Sequence, residues 1–183
     1  MKDITGEEAV ELLRKYSTDD KSFSKILNHS KAVQKLALEI AEEVKKNHDV
    51  DINLVKIGSL LHDIGRFECH KENSIMHGVV GGEILVKEGL KKYARIAETH
   101  IGVGITKKDI KKQCLDLPLK DFVPETTEEK IIAYADNFIF GKGKVTIQKV
   151  IERFKKELGE EYVERVIKLH NEIEKLRKRN NFL

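Results

Sequence analysis

Apolar residues recur along this chain at three- and four-residue steps, the period of helices that bury one face. Ile26, Ser30, Val33, Ala37, Ile40 and Val44 follow that step and predict a long amphipathic helix over about 23–46. His29 falls at the edge of its inward face. Thr5 and Glu8 fit a capping box for a shorter helix ending near Tyr16. Asp51 can cap a third helix, over about 52–63, in which Ile52, Leu54, Val55, Ile57, Leu60 and Leu61 point nearly all round the axis. Such a helix belongs at the centre. It runs out in Leu61-His62-Asp63-Ile64-Gly65, two polar side chains after an apolar run, with Gly65 suited to terminate it.

Further helices are predicted over about 74–87, closed by Gly89, and over about 91–100. Thr106 with Asp109 fits a capping box for a short basic helix, and 115–125, which holds both prolines, reads as a loop. Thr126 with Glu129 caps a helix to about Phe140, Gly141 to Gly143 make a turn, and two amphipathic helices over about 146–158 and 160–177 flank Gly159. The expected fold class is all-α: a compact multi-helix bundle with the two C-terminal helices packed on it. No internal repeat is visible.

Length and composition narrow this picture. A chain of 183 residues with 40% hydrophobic and 36% charged positions can bury a continuous core, so one domain over 1–183 is expected, with a motif-bearing core at about 22–140 and a helical extension at about 145–178. The apolar runs are too interrupted for a membrane span. Lys plus Arg exceed Asp plus Glu by 34 to 31, too even a balance for wholesale electrostatic binding to nucleic acid or membrane. The N-terminus has no apolar signal region, which points to the cytoplasm. Cys69 and Cys114 have no metal-type spacing and are expected to remain reduced.

Chemistry enters through polar residues at positions that should be inside. Burying an ionisable group costs several kcal/mol unless it is paired or bound to a metal. His29, His62, Asp63, His77, His100 and Asp136 raise that question together. Taken singly, an inward His is more often a hydrogen-bonded core residue than a ligand, and Asp136 is equally open to ligation or helix-end hydrogen bonding. A shared metal accounts for all six, since helical bundles build metal sites from inward side chains on several helices.

The ordered set H…HD…H…H…D, with the pair standing as Leu-Leu-His62-Asp63-Ile64-Gly65-Arg66, resembles the HD superfamily of metal-dependent phosphohydrolases in its HDIG form. The likeness covers about 26–140, and the segments around His77, His100 and Asp136 also resemble small archaeal HDIG proteins with no assigned substrate. The resemblance implies a first metal held by His29, His62, Asp63 and Asp136, and a second held by His77 and His100 with Asp63 bridging. Some relatives carry a further His where this chain has Ile101. Asp63 and Arg66 are the expected catalytic residues, the Arg as a clamp on a phosphate oxygen. The ions expected are one or two of Mn, Fe, Co, Ni or Zn.

The expected function is hydrolysis of a nucleotide, cyclic nucleotide or other small phosphate ester by a metal-activated hydroxide. Two alternatives use the same residues: a mixed-valent di-iron oxygenase, and a non-catalytic binding module whose metal cage is structural. The basic clusters Lys107, Lys108, Lys111, Lys112 and Lys175, Arg177, Lys178, Arg179 leave nucleic acid as a partner open but unfavoured, without interleaved aromatics for base stacking. No membrane partner is expected, and a homo-oligomer is open. Gly78, Gly81 and Gly82 lie within one helix, and close helix–helix packing is the favoured reason. The lone Gly102-Val-Gly104 has no strand before it and does not read as a dinucleotide loop.

Overall fold

The computed structural model describes residues 3–69, 71–140 and 143–178, except for the side chains of Lys71 and Glu72. His70, the turn at Gly141 and Lys142, and Arg179 lie outside the described residues. Nine α-helices in this part of the chain, α1 (Gly6–Tyr16), α2 (Asp20–Lys45), α3 (Ile52–Leu61), α4 (His77–Lys87), α5 (Lys91–Thr99), α6 (Lys107–Gln113), α7 (Thr127–Phe138), α8 (Ile147–Glu157) and α9 (Glu160–Arg177), dominate the fold. A minute antiparallel hairpin, β1 (Ile139–Phe140) with β2 (Gly143–Lys144), is added to them. The fold is all-α.

The capping signals act as the side chains require. Thr5 with Glu8 and Thr106 with Asp109 both form complete capping boxes. At α7 only half forms: Thr126 accepts from the Glu129 N–H, while the Glu129 carboxylate turns to Arg95 and the Glu125 N–H. Three boundaries differ from the sequence expectation. α2 begins earlier because Asp19 caps it by accepting from the Ser22 N–H. α7 stops at Phe138, and Ile139 and Phe140 pair as a strand with Lys144 and Gly143. The expected helix over 74–87 starts as a 3-10 segment, Lys71–Met76, with the α-helix proper beginning at His77.

α2 and α3 pack together at the centre with α7 beside them, and α4 lies against α5. One core runs through all of these, and Val150, Phe154, Tyr162, Val166, Leu169 and Ile173 bring α8 and α9 into it. His170, outside the motif, stacks near Tyr134 and Phe138 and hydrogen-bonds the Tyr134 hydroxyl at 2.9 Å. Among the described residues no helix is long and apolar enough to cross a membrane. No disulfide joins Cys69 and Cys114.

Candidate metal centre

Local backbone geometry brings the six residues together. α3 ends at Leu61, His62 is its C-cap, and the chain tightens at once into a 3-10 turn, Ile64–Phe67, headed by Asp63. Gly65 lies inside this turn, and its reason for being glycine is not helix termination. A Cβ there would collide with the His77 carbonyl and lie 2.5 Å from the Gly81 nitrogen. The N-terminal turn of α4 therefore sits directly on the backbone of the His-Asp turn, which sets His77 against Asp63. Gly78 acts likewise toward α5, where an added Cβ would meet the Ala97 carbonyl at 2.8 Å, so His77 and His100 are drawn together. Close packing also accounts for Gly81, whose Cβ would lie 3.2 Å from that of Ala97.

The side chains form a graded cluster. His62, Asp63, His77 and His100 are buried, whereas His29 on α2 and Asp136 on α7 stand at the mouth with side chains 30% and 19% exposed. His29 Nε2 lies 2.9 Å from Asp136 Oδ1 and 3.7 Å from Asp63 Oδ2. His62 Nε2 is 3.8 Å from Asp63 Oδ2 and 3.7 Å from Asp136 Oδ1. On the other side, Asp63 Oδ1 is 3.2 Å from His77 Nε2 and 3.4 Å from His100 Nε2, and those two nitrogens are 3.0 Å apart. The two oxygens of Asp63 thus face two different sets of imidazoles.

Tautomers follow from the backbone. His62, His77 and His100 each place Nδ1 at 2.6 to 2.7 Å from the carbonyl three residues back, on Ser59, Ser74 and Ala97. A carbonyl can only accept, so Nδ1–H donates in all three and Nε2 is left bare whenever the ring is neutral. Three lone pairs then converge on a carboxylate. His62 Nε2 and Asp63 Oδ1 are both buried without a hydrogen-bond partner, a costly arrangement in a dry interior. A cation among these atoms removes the conflict. Donors bound side by side to one first-row ion at about 2.1 Å lie about 3 Å apart, which matches the His77–His100–Asp63 spacings. Two groups have donor atoms close enough to share an ion, His29 with His62 and Asp136, and His62 with Asp63 and His100.

In the absence of a cation the electrostatics keep both carboxylates ionised. Burial opposes charge on Asp63, but His62, His100, His77 and Arg66 outweigh it and hold its carboxyl well below the usual range. Asp136 is also held ionised, against burial, by its hydrogen bond with His29 and by the nearby His62 ring. Burial pushes His62 down, and the nearby carboxylates of Asp63 and Asp136 more than reverse it, to about 9. His100 is lowered, chiefly by burial. One buried and one part-buried carboxylate that both stay ionised are suited to a multiply charged cation.

Arg66, exposed on the surface of the turn, gives its Nε to Asp63 Oδ2 at 2.6 Å and lines a cleft of about 980 Å³. His29, Asp63 and His77 open into the same cleft. Two contributors escaped the sequence reading. The orienting carbonyls of Ser59, Ser74 and Ala97 carry no side-chain signature. Lys25, also in the cleft wall, had one: it stands four residues before His29 and so on the same helical face.

Comparison with known proteins follows the same lines. The sequence model of the HD domain matches residues 26–141. The uncharacterized protein MJ0778 of Methanocaldococcus jannaschii is 45% identical over 94% of this chain and 98% of its own length. The tRNA (cytidine(56)-2'-O)-methyltransferase of Thermoplasma volcanium is 42% identical over 88% of this chain, and that of Picrophilus torridus 38% over 81%. The chain spans only 44% and 41% of those two proteins. Among solved structures, the HD domain of the Listeria (L. monocytogenes) phosphodiesterase PgpH superposes with a TM-score of 0.58 at 19% identity, covering 92% of this chain and 93% of that one. Its complex with cyclic-di-AMP gives 0.57, covering 93% and 92%. At that identity the likeness concerns the fold.

Proposed function

The chain belongs to the HD domain family, and from that premise we propose that it is a metal-dependent phosphohydrolase acting on a nucleotide, cyclic nucleotide or other small phosphate ester. The observation that carries this reading is the orphaned pair His62 Nε2 and Asp63 Oδ1, buried among three further imidazoles and a second carboxylate. We assign His29, His62, Asp63 and Asp136 to one ion, and His77 and His100 to a second that shares Asp63. Mn, Fe, Co, Ni and Zn all suit such a donor set. When bound, one or two such ions supply an acidified water and neutralise charge on the phosphoryl oxygens.

The protein residues do the rest. The backbone carbonyls behind His62, His77 and His100 keep each Nε2 aimed inward, so the site is formed before substrate arrives. Arg66 steadies Asp63 through Nε and offers its remaining guanidinium N–H groups to a non-bridging phosphate oxygen. His29 and Asp136, at the mouth, are the ligands that substrate meets first. The deep imidazoles exclude bulk water from the opposite side. We further propose that 1–183 acts as one domain, with α8 and α9 as intramolecular packing for the motif-bearing core.

The test is elemental analysis of freshly purified protein followed by assay of the metal-loaded protein on a panel of phosphomonoesters and phosphodiesters. Release of phosphate or nucleoside product, abolished by chelator, supports the reading. Bound metal with no product from any ester would falsify it.

A further inference from the structure

We propose that Asn137 is a positioning residue for the second ion: its amide grips the chain just beyond His100 and so fixes that imidazole against the rest of the cluster. The role rests on the two-ion assignment above and adds to it a residue outside the six ligands.

His100 stands where the backbone needs such a hold. It is the C-cap of α5, and the chain leaves helical geometry within two residues, at Gly102 with φ +59° and again at Gly104 with φ +85°. The Gly104 N–H donates to the Ile101 carbonyl at 3.1 Å, but that bond is internal to the loop. It does not fix the loop against α7, which carries Asp136.

Asn137 does. It follows Asp136 on α7 and is buried, 5% exposed. Its Nδ2 donates to the Gly102 carbonyl at 2.6 Å and to the Ala133 carbonyl, one turn back on its own helix, at 2.9 Å. Both amide hydrogens are then in use. On the other side Oδ1 accepts from the part-buried Arg153 of α8 at 3.0 Å. Two carbonyls against one end of the amide and a guanidinium against the other leave it a single orientation. A carboxylate of the same shape could satisfy only Arg153. α8 also closes over the loop, since a Cβ on Gly102 would lie 3.4 Å from the Phe154 ring. The residue after Asp136 thus holds the second residue after His100, and α8 backs both. Hydrogen bonds of this kind behind metal ligands are worth about 10- to 100-fold in affinity.

The experiment titrates manganese into metal-free wild type and variants by calorimetry, at a temperature where each is folded. The wild type is expected to take two ions, and His100→Ala identifies which of the two affinities belongs to the His77–His100 ion. Asn137→Asp should weaken that affinity about 10- to 100-fold and leave the other within about threefold, although an added carboxylate by itself favours a cation. Arg153→Ala, at a side chain only part-buried, should weaken the same affinity about threefold, as loss of one supporting hydrogen bond does. Asp109→Asn controls for stability, since Asp109 ties α6 to α9; it should melt lower and keep both affinities. Unchanged affinities in Asn137→Asp or, where that variant does not fold, in Arg153→Ala overturn the positioning role. Equal weakening of both ions overturns it as well. A wild type that takes fewer than two ions overturns the two-ion assignment and this role with it. Ester hydrolysis on the same samples keeps the readings apart: selective loss of one ion from Asn137→Asp, with no ester cleaved by the wild type, refutes the phosphohydrolase and leaves Asn137 its role.

Discussion

Asp63 and Asp109 are buried to the same depth, each 3% exposed, and their surroundings could hardly differ more. Asp109 receives Arg165 on both oxygens at 2.6 and 2.8 Å, the Tyr162 hydroxyl at 3.1 Å, and the Thr106 N–H and hydroxyl at 2.8 Å. It ties α6 to α9 with every lone pair in use. Asp63 has Arg66 on one oxygen only, and the other faces two imidazole nitrogens that have no proton to give it in their neutral form. Equal burial with opposite satisfaction separates a structural carboxylate from one arranged for a ligand.

The contrast breaks most sharply under mutation. Asp63→Ala is expected to lose bound metal and to reduce phosphate-ester hydrolysis by about 10³-fold or more. Asp109→Ala should retain the metal under conditions where it is folded. Metal content and initial rates on one preparation of each variant decide this, and retention of full metal by Asp63→Ala would remove the distinction.

Stability should respond in the reverse order. Asp109→Ala removes the partner of the part-buried Arg165 guanidinium and the acceptor of Tyr162 and Thr106, and is expected to cost about 2–3 kcal/mol, a fall of roughly 5–10 °C in Tm. In chelator, Asp63→Asn is expected to cost less than Asp109→Ala, because an amide oxygen can still accept from the exposed Arg66 and the other oxygen has no proton donor to lose. Thermal melts of both variants in chelator provide the comparison.

Much of this arrangement is visible in the sequence, and the part that is not shares a physical cause. Thr106 and Asp109 can be read as a capping box because both partners are local. The second role of Asp109 depends on Arg165, 56 residues later, and no local pattern reports it. The six-residue His/Asp cluster is legible because its types and order are unusual for inward positions. Its precision comes from Gly65 and Gly78, whose need for glycine arises from backbones that approach only in the folded protein. Ile139 and Phe140 continue the apolar pattern of α7, so the change to a strand there escapes a reading based on periodicity.

Acid sharpens the comparison further. Hydrogen bonds from Arg165, working against burial, hold the Asp109 carboxyl well below the usual carboxylate range, so folding favours its ionised form. That stabilisation is complete above the unfolded value of about 4 and drains away as pH falls toward the folded value, at no more than about 1.4 kcal/mol per pH unit. Asp109→Asn should therefore flatten the loss of stability between about pH 4 and 2, measured by urea unfolding at each pH. An unchanged slope would mean that Asp109 does not carry it.

The smallest effect serves as a baseline. Lys112 and Glu161 also link α6 to α9, at 2.8 Å, but both are about half exposed. Lys112→Ala should change stability by less than about 0.5 kcal/mol, which calibrates how much of the Asp109 effect comes from burial. A loss as large as that of Asp109→Ala would mean that desolvation does not set the difference between the two ion pairs.

The most direct measurement is anomalous diffraction from crystals grown with excess manganese. One or two manganese peaks are predicted within bonding distance of the cluster, with His62 Nε2 and Asp63 Oδ1 both among the ligands. A well-ordered cluster with no peak, its imidazoles paired with one another or with water in the presence of abundant manganese, would contradict the account.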